Sequence, residues 1–273
     1  MRDLFRRAGI DTPELDARLL AELAFGLERL ELVNREREVA DPAALAKLQG
    51  FATRRLRGEP VVRIIGEKEF WGLPFTLNAA TLVPRPETEM LVRRGLQALE
   101  GRTHKRVLDL GTGTGCVPIA ILSESPSATA IAVDLSSEAI LAAQWNAERH
   151  GVAKRFDARP GSWFDPLQVG EDFDLITSNP PYIEQSAIEG LAPEVKDHDP
   201  RLALDGGADG LDAYRDIIGE AIHWLKRGGV LAVEIGSTQA AAVRAMFVKA
   251  GFEEVSVEKD LAGLDRVVTG YHL

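Results

Sequence analysis

Cysteine is almost missing from this chain of 273 residues: Cys116 stands alone, so no intramolecular disulfide staples the fold. Long apolar runs are missing too. No stretch approaches eighteen consecutive apolar residues, and a membrane-spanning helix is therefore not expected. The first twenty residues mix Arg2, Arg6 and Arg7 with Asp3, Asp11, Glu14 and Asp16 and have no apolar centre. That is the pattern of neither a signal peptide nor an acid-poor transit peptide, and a cytoplasmic protein is expected. The five histidines (His104, His150, His198, His223 and His272) are scattered without ligand spacing, so no metal is expected. An excess of positive charge is also lacking. The net charge is −10, whereas a duplex nucleic acid calls for a basic face against its phosphates. A neutral or basic protein partner suits the chain better, and no nucleic-acid partner is expected. There is no internal repeat and no low-complexity tract.

What is present reads as a soluble globular chain, with 45% hydrophobic and 27% charged residues. Its length suits one large domain, or a medium domain plus a small one. Residues 1 to 65 read as a helical bundle. Leu15, Leu19, Leu20, Leu23 and Leu27 recur at three- and four-residue steps, which predicts one apolar helical face. Thr12-Pro13 is placed to start that helix, and Asp41-Pro42 to start a second one carrying Leu45, Leu48 and Phe51. Residues 66 to 80 bring Phe70, Trp71, Gly72, Pro74 and Phe75 close together, as in a hairpin or extended linker. After Val83-Pro84-Arg85-Pro86, a helix is expected from Glu87 through Leu99.

Residues 81 to 273 then alternate short apolar runs with helical patterns. Strands are expected at Arg106–Leu110, Thr129–Asp134, Phe156–Arg159, Phe173–Ser178, Val230–Ile235, Glu253–Glu258 and Arg266–Gly270. Helices are expected at Cys116–Glu124, Ser137–His150, Leu211–Lys226 and Thr238–Ala250. This alternation predicts an α/β fold with a mostly parallel sheet covered on both faces. No helix separates the last two strands, so one of them is expected to run antiparallel.

Two segments carry chemistry. In the first, Val107-Leu108-Asp109-Leu110 runs into Gly111-Thr112-Gly113-Thr114-Gly115 and then a helix starting at Cys116. Glycines there let the backbone approach a ligand closely, and a helix start offers free N–H groups. The spacing is G-x-G-x-G, whereas a dinucleotide fingerprint is G-x-G-x-x-G. This suits S-adenosylmethionine, which has no pyrophosphate. Asp134 ends the next strand, about twenty residues on, where an acid can accept hydrogen bonds from two ribose hydroxyls; alternatively it caps the helix that follows. Trp163, after the third strand, is placed to flank an adenine ring or to fill the core.

The second segment is Asn179-Pro180-Pro181-Tyr182, closing a buried strand at the edge where open α/β sheets bind ligands. An amide or aromatic amine nitrogen is a poor nucleophile because its lone pair is delocalised. Asn179 Oδ1 and the Pro180 carbonyl can accept both of its hydrogens, which favours a pyramidal nitrogen with its lone pair aimed at a methyl donor. Pro180 and Pro181 fix the directions of the local carbonyls, and Tyr182 can stack on a planar substrate group. Together the segments point to methyl transfer from S-adenosylmethionine to such a nitrogen, by positioning and desolvation rather than by a strong base. Cys116 reads as a small residue packed near the cofactor rather than as a nucleophile.

The chain resembles the protein-(glutamine-N5) methyltransferases of the HemK/PrmC type. The resemblance is carried by Gly66–Leu73, Val83–Glu89, Asp109–Cys116, Asn179–Tyr182, Ala203–Leu211, Lys259–Gly263 and Asp265–Val267. It is strong from Gly66 to Leu273 and loose before that. It implies a Rossmann-like seven-stranded methyltransferase domain, an N-terminal helical domain for substrate recognition and a β-hairpin linker. It implies S-adenosylmethionine held at Gly111, Thr112, Gly113, Thr114, Gly115, Asp134, Trp163 and Asn179. The implied substrate is the glutamine of the Gly-Gly-Gln motif of class-1 peptide chain release factors, held by Asn179, Pro180, Pro181 and Tyr182. Pro118, in the first turn of the helix after the glycine loop, departs from the small residue more usual in the family.

Other readings differ in their tests. A ribosomal-protein glutamine methyltransferase shares Asn-Pro-Pro-Tyr. A DNA adenine-N6 methyltransferase would need to flip its base and grip phosphates, which the charge disfavours. A NAD-dependent dehydrogenase is disfavoured by the glycine spacing. A silent cofactor-binding protein is disfavoured by the intact Asn179.

Overall fold

A computed structural model describes all residues, 1–273, in two compact units. The first comprises Met1–Glu67 with Ala192–His198, and the second Lys68–Leu191 with Asp199–Leu273.

The first unit contains α1 (Arg2–Arg7), α2 (Pro13–Phe25), α3 (Arg29–Asn34), α4 (Pro42–Leu56) and α5 (Val61–Ile65). Phe5, Leu20 and Ile64 form its small buried core. Of the expected leucine stripe, α2 fully buries only Leu20. The buried positions are Pro13, Asp16, Leu20 and Ala24, which also follow helical spacing, while Leu15 and Leu23 stay exposed. Leu27 lies beyond the helix, which Gly26 ends. The reason is Asp16: Arg55 of α4 reaches its carboxylate at 2.7 Å, with Asp16 1% exposed, so a buried ion pair sets the rotation of α2. Thr12 sits at the N-cap but makes no capping bond. Its hydroxyl donates to Asp16 instead, at 2.8 Å. Asp41 does cap α4, accepting from Ala44 N at 2.9 Å.

The hairpin of β1 (Glu67–Phe70) and β2 (Leu73–Thr76) follows, all of it but Glu67 in the second unit. Trp71 and Gly72 form its two-residue turn with φ +54° and +69°, the geometry that matches strand twist. Glu89 accepts from Trp71 N at 2.9 Å, which holds that non-glycine residue in place. The chain continues through α6 (Glu89–Ala98), β3 (Lys105–Leu110), α7 (Cys116–Glu124), β4 (Ala128–Asp134), α8 (Ser137–Arg149), β5 (Phe156–Pro160) and β6 (Phe173–Ser178). The short α9 (Pro193–Lys196) belongs to the first unit. Last come α10 (Asp212–Trp224), β7 (Leu225–Glu234), α11 (Ala240–Lys249), β8 (Glu253–Lys259) and β9 (Asp265–His272).

The seven-stranded sheet has the order β5-β4-β3-β6-β7-β9-β8. β9 runs antiparallel to both β7 and β8, and the other pairs are parallel. Side chains alternate between two cores, as a strand period of two requires. Val107, Leu175 and Val230 pack with α6 and α7 on one face. Leu108, Ile176 and Leu231 pack with α10 and α11 on the other. Apart from the start of β7, the strand and helix boundaries of the sheet region lie within two residues of the sequence-based expectation. Residues 86–88 form a 3₁₀ turn, and α6 begins only at Glu89. β7 begins at Leu225, directly after α10, because Leu225 pairs with Phe173 and a bulge follows in the register.

Candidate active site

Strands β3 and β6 are parallel neighbours, and the chain leaves β3 towards β4 on one side and β6 towards β7 on the other, so a crevice opens at their carboxyl ends. The cavity there is walled on one side by Gly111, Thr112, Gly113 and Thr114, with Asp134, Leu135 and Trp163 beside them. Asn179 and Pro181 wall the other side, with Pro84, Arg85 and Thr88.

The glycine turn is held by backbone bonds. Gly111 N and Thr112 N both donate to the Val133 carbonyl, at 2.9 and 3.0 Å. Gly113 N donates to Asp134 Oδ2 at 2.8 Å, and Ser136 N to Oδ1 at 2.9 Å. Asp134 therefore ties the turn to β4, and the helix-cap role falls to Ser136, whose Oγ accepts from Ala139 N at 3.3 Å. Each Asp134 oxygen keeps a lone pair for a ligand. Burial nevertheless raises its pKa, against those two hydrogen bonds. Gly115 lies outside the lining. It starts α7 at φ +77°, and a Cβ there would sit 3.2 Å from that of Ala143. Cys116 does reach the cavity, but burial pushes its thiol up to about 12, so it is no nucleophile at neutral pH. Pro118 is accommodated in the first turn of the buried helix α7.

On the facing wall, Asn179 Nδ2 donates to Thr88 Oγ1 at 3.1 Å, and Thr88 Oγ1 donates to Glu234 Oε2 at 2.6 Å. Pro180 and Tyr182 are not among the lining residues. Tyr182 packs on the core shared with α10 and α11, and its carbonyl accepts from Gln239 Nε2 at 2.9 Å. The Ala203–Leu211 stretch packs against the backbone here: Ile183 N donates to the Leu204 carbonyl at 3.0 Å, and Gly206 N to the Ile183 carbonyl at 2.8 Å. Gly210 (φ +72°) lies so close that a Cβ would stand 2.5 Å from Tyr182 O.

Four residues of this site were not singled out from the sequence. Asp109, at the cavity, is pushed up to about 7 by burial while Thr177 donates to it at 2.6 Å. Glu234 is likewise pushed up to about 7 by burial. Thr88 and Arg85 come from the proline-rich segment, Arg85 donating to Asp199 at 2.8 Å. The signal for the two acids was readable: each interrupts the apolar run of a central strand, Val107–Leu110 or Val230–Ile235, and such an acid is rarely buried without a purpose.

Comparison with known proteins fits this arrangement. A family model described as the PrmC N-terminal domain matches residues 1–66, and one described as the methyltransferase small domain matches residues 88–195. Among solved structures, a methyltransferase from Pyrococcus furiosus superposes with a TM-score of 0.54 at 17% identity, covering 82% of this chain and 98% of that one. The N-terminal domain of human METTL16 in complex with SAH superposes with a TM-score of 0.54 at 15% identity, covering 74% and 77%. The fold and the matched domain thus define a methyltransferase. A release factor glutamine methyltransferase from Caulobacter vibrioides is 45% identical over 98% of this chain and 93% of its own length. One from Geobacter sulfurreducens is 42% identical over the same shares. The chain belongs to the release factor glutamine methyltransferase family. No helix is long and apolar enough to cross a membrane.

Proposed function

We propose that the protein transfers a methyl group from S-adenosylmethionine to the side-chain amide nitrogen of the glutamine in the Gly-Gly-Gln motif of class-1 peptide chain release factors. The observation that carries this reading is the commitment of Asn179 Nδ2 to Thr88, which leaves Oδ1 as the acceptor this side chain offers within the cavity of the glycine turn. The donor set fits the cofactor. Asp109 and Asp134 are carboxylates on a cavity whose sole cationic lining residue is Arg85, which suits a cationic ligand with a ribose diol. Trp163 and Leu135 offer apolar surface for a flat ring.

When bound, S-adenosylmethionine supplies the methyl group on a sulfonium, so transfer neutralises a positive charge. In this reading Gly111, Thr112, Gly113, Thr114, Asp134 and Trp163 bind and orient it, and Gly115 holds the turn close against α8. Asn179 Oδ1 and the Pro180 carbonyl accept the two amide hydrogens of the glutamine, aiming its lone pair. Pro181 lines the slot, and Tyr182 backs it from the core. No side chain need act as a strong base, because the proton can leave to water after transfer. Residues 1–65 serve substrate recognition, 66–80 link, and 81–273 carry the chemistry.

Mass spectrometry of a purified class-1 release factor, after incubation with the protein and S-adenosylmethionine, tests the proposal. One methyl group gained on the Gly-Gly-Gln glutamine is the expected result. Methylation of a ribosomal protein or of DNA, with none on the release factor, overturns it.

A further inference from the structure

We propose that Thr88 and Glu234 are positioning residues that lock the Asn179 carboxamide in one orientation, with Oδ1 presented to the reacting nitrogen. The inference rests on the reading of Asn179 as the acceptor and assigns the device that makes it one.

The orientation of Asn179 depends on which groups can donate. Asn179 carries an acceptor oxygen and a donor nitrogen on one carbon, so rotation by half a turn exchanges them. Presented the wrong way round, it offers hydrogens to an amide that needs to give hydrogens away. Something must choose, and Thr88 alone cannot, because a hydroxyl both donates and accepts. Glu234 breaks the tie. An ionised carboxylate only accepts, so the Thr88 hydroxyl must spend its single hydrogen on Glu234 Oε2, at 2.6 Å. Its oxygen can then only accept from Asn179, and does so from Nδ2 at 3.1 Å. Oδ1 is left for the ligand. A neutral Glu234 would carry a proton of its own to give to Thr88. That would free the Thr88 hydrogen to bind Asn179 Oδ1 and turn the carboxamide round.

The placement supports a dedicated relay. Glu234 is 1% exposed and Thr88 3% exposed, and Glu234 makes no ion pair within 4.0 Å. A carboxylate buried without a salt bridge is costly, and packing gives no reason for one in a strand otherwise lined with Val230, Ala232 and Val233. The charged and titratable groups around it are Glu87 and Arg85 from the segment before α6 and Arg266 from β9. Tyr182 follows β6, Tyr214 lies on α10 and Cys116 on α7. Burial outweighs the two arginines and pushes Glu234 up to about 7. The lock is therefore engaged above that pH and released below it. Asp109 titrates in the same range, so variants must separate the two.

The test measures kcat and KM for release-factor methylation as a function of pH in the wild type, Thr88→Ser, Thr88→Val and Glu234→Gln. Thr88→Val removes the hydroxyl and should lower kcat about 10-fold or more, with KM for S-adenosylmethionine changed less than about 2-fold. Thr88→Ser restores the hydroxyl and should recover the rate to within about 3-fold. Glu234→Gln should lose the rise of kcat with pH near 7 that Thr88→Ser keeps. A wild-type kcat in Thr88→Val, or the same inflection retained in Glu234→Gln, overturns the relay. A wild type that methylates no release factor refutes the functional reading instead. The relay then still has its own readout, the Asn179 side-chain NH₂ signal in ¹⁵N–¹H NMR. That signal should shift with pH near 7 in the wild type and not in Glu234→Gln; an Asn179 signal that is flat with pH in the wild type overturns the relay whatever the activity.

Discussion

The two walls of the crevice are built by opposite means. The glycine-turn wall is made from backbone. Its bonds run between β3, the turn and β4, with Gly113 and Asp134 only 21 residues apart. The Asn179 wall is made from side chains brought together over long distances. Asn179 and Thr88 are 91 residues apart, and Thr88 and Glu234 are 146 apart. The difference teaches where each wall is vulnerable. A backbone cradle tolerates changes of side chain as long as its dihedrals and close approaches survive. A wall of side chains depends on single atoms, and on the protonation of a buried acid.

The largest effect should come from the one atom with no substitute. Asn179→Ala is expected to lower kcat at least about 100-fold, while calorimetry finds S-adenosylmethionine still bound. Unchanged turnover would remove the distinction between the walls, since the acceptor wall would then act without its acceptor.

Next in size is the stability released by neutralising Glu234. Its pKa is raised from 4.5 to about 7 in the fold. The folded state thus holds a proton that the unfolded chain releases, and stability falls as pH rises from about 4.5 to about 7. Glu234→Gln carries no such proton. It should be more stable than the wild type above that window by up to roughly 3 kcal/mol, less whatever its hydrogen bond to Thr88 loses. Urea midpoints at several pH values would show a shallower decline, with Asp109 and Asp134, also raised by burial, contributing to what remains. An unchanged slope would mean that Glu234 is not ionised at the cost argued here. A variant that gains stability while losing its catalytic pH dependence would mark this acid as kept for activity.

Glycines give the most direct comparison, with effects on stability of similar or smaller size. An alanine Cβ at Gly210 meets the Tyr182 carbonyl at 2.5 Å, a backbone atom that cannot step aside. At Gly115 it meets the Ile119 Cδ1 tip at 2.9 Å and the Ala143 Cβ at 3.2 Å, of which the first can rotate away. Both also adopt positive φ. Gly210→Ala should cost roughly 3 kcal/mol and Gly115→Ala about 1–2 kcal/mol in denaturant unfolding. The reverse order would show that the Ala203–Leu211 loop is the softer of the two.

Legibility in the sequence followed the same division. The strand, glycine turn and helix from Lys105 to Glu124 are contiguous, and their elements fall where the apolar periods place them. Asn179 to Tyr182 was equally visible, since two prolines after a buried strand fix a local geometry. Thr88 was visible only as part of a segment resembling a family. Nothing local to Thr88 shows that its hydroxyl lies between Asn179 and Glu234. The stripe on α2 misled for a related reason: leucine spacing fits one face, but the ion pair between Asp16 and Arg55, 39 residues away, turned the helix so that only Leu20 of the stripe is fully buried.

What the sequence determined by itself is whatever depends on neighbours along the chain. That covers strand and helix periods, the turn whose backbone points at a ligand, the buried strand ending in Asn-Pro-Pro-Tyr, and through these the α/β class of the fold. Tertiary structure alone decided that Asp109, Thr177 and Glu234 stand on one face at the carboxyl ends of three adjacent strands, and that Thr88 arrives above Glu234. A hydrogen bond acts over about 3 Å, and only closure of the sheet order β3-β6-β7 brings residues so far apart in sequence within that distance.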